Sequence, residues 1–304
     1  MSTPIEIALR GPAGEPVDLW RTMVSHGVAS LPPAEIDEDA RVMTVTVPVA
    51  GAKPRTVQVR QGRKGKARVD ALGPRFGART RDGIAASVRT ILNLDEDLSP
   101  LYEVAATDPE LDWIVAGAGR MARGATVFED VVKTICTTNT TWSATQRMVG
   151  ALVSELGESS AGGHGHAFPT PEAMAAAPER FYREVARAGY RGAYLQALAL
   201  SVAEGSLDLE RLAVASPEEL PDDDLAKLLL ALPGVGPYAA AHIMMLIGRH
   251  SRLILDSWTR PKYARVNGGR KATDRQIERR FRRYGRYAGL AFWLYLTRDW
   301  VEES

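Results

Sequence analysis

The sequence predicts an α+β protein, mostly α, with a small N-terminal antiparallel β domain over residues 1–86 and a helical domain over residues 87–304. Three observations predict it. Up to about Ile84 the chain alternates short β-prone runs with Gly and Pro breaks. Beyond that point apolar residues recur at spacings of three and four, the period of a helix face. Near the C-terminal third an apolar helix runs into the turn Leu232-Pro233-Gly234-Val235-Gly236, and a second helix starts at Pro237.

The strand candidates are IEIAL from Ile5, RVMTVTVPV from Arg41, RTVQVRQG from Arg55 and ARVDALG from Ala67. Met43, Val45, Val47 and Val49 alternate with Thr44, Thr46 and Pro48, as a half-buried strand requires. The helix candidates are VFEDVVKTICTT, SATQRMVGALVSELG, FYREVARAGYRGAYLQALALSVAEG and DDLAKLLLAL. Between them, ESSAGGHGHAFPTP is expected to be the most flexible internal stretch. Its His164 and His166 have no cysteine or acid cluster beside them, so a metal site is not expected. No tandem repeat is present.

The turn before Pro237 carries the chemistry. Gly234 and Gly236 permit backbone angles closed to other residues and put no Cβ between the chain and a ligand, while Pro237 suits the first turn of a helix. The free N–H groups at that helix start attract a phosphate. A lone acid, Asp256, follows an apolar run eighteen residues beyond Tyr238. A helix cap is the alternative to a chemical role, since Ser257 and Trp258 lead into another helical stretch.

Composition narrows the class. A chain of 304 residues supports one large or two ordinary domains, and no apolar run approaches a membrane span. The start, MSTPIEIALRGPAGE, has neither the basic start nor the apolar stretch of a signal peptide, so a cytoplasmic location is expected, and the chain is expected to be a monomer. A single cysteine, Cys136, excludes an internal disulfide and cannot build a four-cysteine iron-sulfur cluster. Net charge is only +1, yet eleven Lys or Arg residues between Arg260 and Arg286 stand against two acids, Asp274 and Glu278. A second stretch, Lys53 to Arg68, holds seven basic residues and no acid. Both are candidates for phosphate contact.

The string LPGVGPYAA resembles the helix-hairpin-helix element of DNA repair proteins, and with Asp256 at its spacing the chain is similar to the helix-hairpin-helix DNA glycosylase superfamily. The order of a β domain, a helical domain, the hairpin and the acid resembles its 3-methyladenine and 8-oxoguanine branches. TVFEDVVKTICTTNTTWSATQRMV, AGYRGAYLQALA and YAGLAFWLYLTRDW extend the likeness over most of the chain.

The resemblance implies that Asp256 stabilises the positive charge that develops on deoxyribose as an N-glycosidic bond breaks. It implies DNA contacts from Leu232, Pro233, Gly234, Val235 and Gly236, from Arg260 and Lys262, and from Asn139, which would enter the space left by the flipped base. In bifunctional relatives a lysine nucleophile stands two residues past the second hairpin glycine; here that residue is Tyr238, and a phenol forms no imine. The base pocket would be lined by Tyr238, His242, Trp258, Phe292 and Leu296, with Trp142 nearby. His242 matches a pocket cysteine of the oxoguanine enzymes, Leu296 a stacking aromatic, and Phe292 a base-reading glutamine. Losing that glutamine removes a source of oxoguanine discrimination, whereas aromatic faces suit a cationic alkylated purine.

The expected activity is therefore monofunctional excision of an alkylated purine such as 3-methyladenine from double-stranded DNA. It would require no cofactor, with room for a monovalent cation at the hairpin. Excision of oxidised or deaminated bases, and damaged-DNA binding without catalysis, stay open. A metal-dependent nuclease is disfavoured because no paired carboxylates sit near the basic segment.

Overall fold

The computed structural model describes residues 3–301. Five strands, β1 (Ile5–Ala8), β2 (Ala34–Asp37), β3 (Val42–Val49), β4 (Ala52–Gln61) and β5 (Lys66–Ala71), form one sheet in the order β1-β5-β4-β3-β2. Every neighbouring pair is antiparallel. The alternation in β3 buries Met43, Val45, Val47 and Val49 as expected. Thr46 is buried as well, because its hydroxyl joins Thr56 (2.9 Å), and Thr56 joins Ser160 (3.0 Å). Ser160 belongs to the glycine-rich stretch expected to be flexible. That stretch is instead seated on the sheet: Ala161 donates its N–H to the Pro54 carbonyl (2.9 Å), and a Cβ on Gly165 would come within 2.6 Å of Thr46. β2 was not legible in the sequence, since AEID is four residues long with two charges, as befits an edge strand that must not pair further.

A short helix α1 (Leu19–Met23) and a longer α2 (Ala78–Ile91) accompany the sheet. Ile84, Val88, Ile91, Leu92 and Leu94 share one apolar core with Val47, Val57 and Val69. The boundary expected after residue 86 thus falls inside α2, and the sheet's core runs on to Leu94.

The rest is helical: α3 (Ser99–Ala105), α4 (Val127–Thr137), α5 (Trp142–Leu156), α6 (Pro171–Ala176), α7 (Arg191–Ala203), α8 (Glu210–Val214), α9 (Asp222–Leu230), α10 (Pro237–Leu246), α11 (Thr259–Val266), α12 (Asp274–Phe281) and α13 (Ala288–Thr297). The single long helix expected from Phe181 onward is broken. A one-turn π-helix, Phe181–Val185, ends at Arg187 and Gly189, both at positive φ, and α7 begins afresh. No helix among the described residues is long and apolar enough to cross a membrane.

The helices pack into two cores with α10 between them. Ala239, Ala240, Ile243 and Met244 face the core built on α4, α5, α7 and α9, while Ala241, Met245 and Leu246 face the core of α3, α11, α12 and α13. An α-helix apolar all round is what such a central position demands. Its first turn, carrying Tyr238, emerges at the seam between the two cores.

Candidate active site

The hairpin joins α9 to α10, and its two glycines have different reasons. Gly234 sits at φ 81°, where a side chain is strained, and a Cβ there would press within 2.9 Å of Tyr194. Gly236, the N-cap of α10, has ordinary extended angles (φ −100°, ψ −175°) and open space around any added Cβ. Its missing side chain therefore matters only to something approaching from outside. The sequence argument from backbone angles holds for Gly234 and not for Gly236.

Tyr238 is half-buried in the first turn of α10. Its hydroxyl lies 3.2 Å from the Thr137 hydroxyl at the end of α4, and its ring stacks on His242 one turn later, centroids 6.0 Å apart. Nδ1 of His242 is 3.1 Å from the Thr134 hydroxyl. α4 is held in place for this by its N-terminus, where Thr126 caps Glu129 (3.1 Å) and the Glu210 carboxylate accepts from the N–H groups of Val127 and Phe128.

Behind His242 stands His26, edge-on with centroids 5.4 Å apart. Nε2 of His26 lies 2.5 Å from the Ala122 carbonyl, which only accepts, so the proton sits on Nε2. Nδ1 of His26 is buried with no partner among the described residues. Burial pushes the His26 imidazole down to about 4, with Lys133 adding to the effect. Burial, and then His26 itself, push His242 down to about 3. The pair is uncharged at neutral pH.

Asp256 does cap a helix. Its Oδ1 accepts the N–H groups of Trp258 (2.9 Å) and Thr259 (2.6 Å), and its own N–H donates to the Thr259 hydroxyl (2.8 Å). This uses one carboxylate oxygen; Oδ2 has no hydrogen-bond partner among the described residues. Capping thus orients the group and leaves Oδ2 free of protein hydrogen bonds among the described residues. Burial raises the Tyr238 phenol above its ordinary value against the Thr137 hydrogen bond, and the Asp256 charge adds to the rise.

Trp258 packs on Trp293 (5.5 Å) and Trp300 (5.6 Å). The Trp293 indole N–H donates to the Ser25 carbonyl (2.9 Å), and Trp142 lies over Gly27, whose Cβ would meet it at 3.3 Å. One short segment, Ser25 to Gly27, therefore ties the histidine pair and the tryptophan cluster together. Sequence reasoning missed His26, Trp293 and Trp300, because their neighbours are distant in the chain.

Two expected pocket residues lie elsewhere. Phe292 and Leu296 are fully buried in the second helical core, Phe292 with Phe281 at 5.2 Å and Tyr263 at 6.1 Å. α13 is apolar around its whole circumference, so its pattern could not say which face meets the site. The residues one position on, Trp293 and Thr297, line a cavity of about 30 Å³ with Ser25 and Trp300.

Several basic residues expected at phosphates are engaged within the protein. Lys262 grips both oxygens of Asp299 (2.8 and 2.6 Å), and Arg260 makes a two-pronged pair with Asp274 (2.8 Å each). In the N-terminal stretch, Arg63 and Lys66 pair with Glu6, Arg60 and Arg68 with Asp70, and Arg55 is buried against Pro74 and Phe76. Lys262 and Arg260 each have an acid of their own, whereas Glu6 and Asp70 each serve two cations and Arg55 has no acid partner among the described residues, so the N-terminal stretch keeps a net positive charge. Asn139, by contrast, is exposed at φ 42° just past α4, and Arg191 fixes it by donating to the carbonyls of Thr138 and Asn139. Tyr190 stands beside it, 55% exposed. No cluster of three or more His, Cys, Asp or Glu side chains among the described residues could hold a metal. Cys136 is buried, its thiol pushed up to about 12 by desolvation.

No protein-family model and no curated protein matches the chain in sequence. Solved structures do match in fold. A 3-methyladenine DNA glycosylase from Archaeoglobus fulgidus superposes with a TM-score of 0.73 at 19% identity, over 99% of this chain and all (100%) of that one. MBOgg1 in complex with a low-affinity DNA ligand gives 0.72 at 20% identity, over 98% of this chain and 96% of that one. The 8-oxoguanine glycosylase/lyase of Clostridium acetobutylicum, in complex with double-stranded DNA containing cytosine opposite 8-oxoG, gives 0.70 at 19% identity, over 93% and 92%. The α+β fold of this chain is thus the one seen in these DNA glycosylases, as the hairpin and the spacing of Asp256 led us to expect.

Proposed function

We propose that this protein is a monofunctional DNA glycosylase of base excision repair, which hydrolyses the N-glycosidic bond of a flipped, alkylated purine such as 3-methyladenine and leaves an abasic site. The observation that carries the proposal is Asp256: one oxygen fixed by two backbone N–H groups, the other without a partner among the described residues, following in sequence a hairpin whose Gly236 has open space where a Cβ would stand. The free N–H groups of the hairpin bind a phosphate and fix the sugar in register. Asp256 then faces the charge that develops at the anomeric carbon, in a half-buried setting where a fixed carboxylate acts more strongly than in water. Water bonds to the glycosyl carbon and gives up a proton to solvent, while the cationic base leaves with the bonding pair as a neutral purine, so the step calls for no cofactor.

Tyr238 supports the monofunctional reading, since the position offers a phenol held to Thr137 and no amine. The two neutral imidazoles and the tryptophan cluster support a cationic base: the histidine pair adds no positive charge of its own, and an aromatic face favours a cation by about 0.5–2 kcal/mol. The exposure of Asn139 and of Tyr190 supports a role in filling the space that a flipped base leaves.

Methylated DNA and a duplex with a single 8-oxoguanine, each incubated with the protein and then treated with alkali, test the proposal. Release of free methylpurine with alkali-labile sites is expected on the first and not on the second. Absence of alkali-labile sites on both would overturn it.

A further inference from the structure

The eleven basic residues between Arg260 and Arg286 fall into two sets in the folded protein. Arg260, Lys262, Arg280 and Arg283 pair with Asp274, Asp299, Glu110 and Asp108, and Arg286 lies over the Tyr287 ring. The other six, Arg265, Arg270, Lys271, Arg275, Arg279 and Arg282, are all exposed and form no ion pair among the described residues. Such segregation is not what a merely solvated face requires, where cations and acids intermix.

The free set has a defined place. α12 buries Ile277 and Phe281, and its Asp274 and Glu278 line a groove of about 560 Å³ whose opposite wall is Leu230, Pro237 and Tyr238 of the hairpin. Arg275 and Arg279 are each one residue further on, turned roughly 100° from that wall toward solvent, and Arg282 continues the row at a spacing of seven from Arg275. The row is about 10 Å long, at 1.5 Å of rise per residue. Strand phosphates recur every 3.4 Å of duplex axis, so a row of this length spans about three of them.

We infer that Arg275, Arg279 and Arg282 form a second phosphate-binding arm, across the groove from the hairpin, that holds duplex DNA flanking the lesion. The inference rests on the DNA reading of the hairpin but not on base excision. Arms of this kind raise affinity for all sequences alike and hold the protein on undamaged duplex while it searches.

The test is the salt dependence of binding to an undamaged duplex, where catalysis does not enter. It compares the wild type, the triple variant Arg275→Gln/Arg279→Gln/Arg282→Gln, and a control, Arg183→Gln, at an exposed position on the Phe181–Val185 turn. The slope of log K against log salt should be shallower in the triple variant by about 2.7, three phosphates at 0.9 each, with at least tenfold weaker binding at low salt. The control should keep the wild-type slope. Equal slopes for wild type and triple variant would overturn the inference and assign the stripe to some other acidic partner; an equal loss in the control would also overturn it. A protein that excised no base yet lost slope only in the triple variant would leave the arm standing and remove the glycosylase reading alone.

Discussion

The buried histidine pair makes the protein acid-labile in a calculable way. In the unfolded chain His26 and His242 titrate near 6.5; in the fold they stay neutral down to about 4 and about 3. A folded value below the unfolded one means that stability is whole above pH 6.5 and is lost as pH falls, because only the unfolded chain takes up the protons. At pH 5 each histidine has crossed about 1.5 pH units, or about 2 kcal/mol, so the pair costs about 4 kcal/mol. Asp130 works the other way. Burial raises it from 3.8 to about 6, against the pull of Arg123, so its contribution is present at low pH and lost as pH rises through 6. Between pH 7 and 5 it returns about 1.4 kcal/mol, for a net loss of about 2.5 kcal/mol. For a chain of this size that lowers Tm by roughly 5 °C, at about 2 °C per kcal/mol. Thermal unfolding of the wild type and of His26→Gln/His242→Gln should be followed at pH 7, 6 and 5. The wild type should lose stability across this range, while the double variant should hold or gain slightly from Asp130. Parallel curves for the two proteins would refute a neutral buried pair.

The two hairpin glycines should separate under mutation. Gly234→Ala meets Tyr194 at positive φ and should cost 1 kcal/mol or more of stability on the order of backbone strain, whereas Gly236→Ala should leave Tm unchanged and still weaken binding to damaged and undamaged duplexes alike. α13 offers a similar contrast. Phe292→Ala should cost about 3–5 kcal/mol in Tm measurements without changing base preference, and Trp293→Ala should alter the ratio of excision rates between methylated purines and normal ones. Borohydride added during turnover should trap no protein–DNA adduct on a denaturing gel, because Tyr238 provides no amine; an adduct that vanishes in Lys262→Ala would show a relocated nucleophile.

What the sequence made legible was local. The hairpin is written in consecutive residues, because a positive φ at Gly234 and a proline-started helix leave few alternatives to LPGVGP. Asp256 is legible for the same reason, as its cap bonds reach only three residues on. The strands β3 to β5 and helices α4, α5 and α9 follow from period and caps. What was hidden is what depends on distant partners. Nothing near His26 in the chain announces that it will stand edge-on to His242, and nothing near Arg260 or Lys262 announces Asp274 or Asp299. Phe292 and Trp293 could not be told apart because a helix apolar on every side has no periodicity to read. The glycine-rich stretch carries flexible composition, yet three hydroxyls, Thr46, Thr56 and Ser160, anchor it to the sheet.

The central claim is that the open oxygen of Asp256 stabilises glycosidic bond cleavage. Asp256→Asn preserves the cap, since an amide oxygen can still accept from Trp258 and Thr259, and removes the charge. Single-turnover excision of methylpurine by this variant, with binding to the same duplex measured alongside, tests the claim most directly. The account predicts binding within a few-fold of wild type and a rate lower on the order of a hundredfold or more. Excision at a near wild-type rate would contradict it.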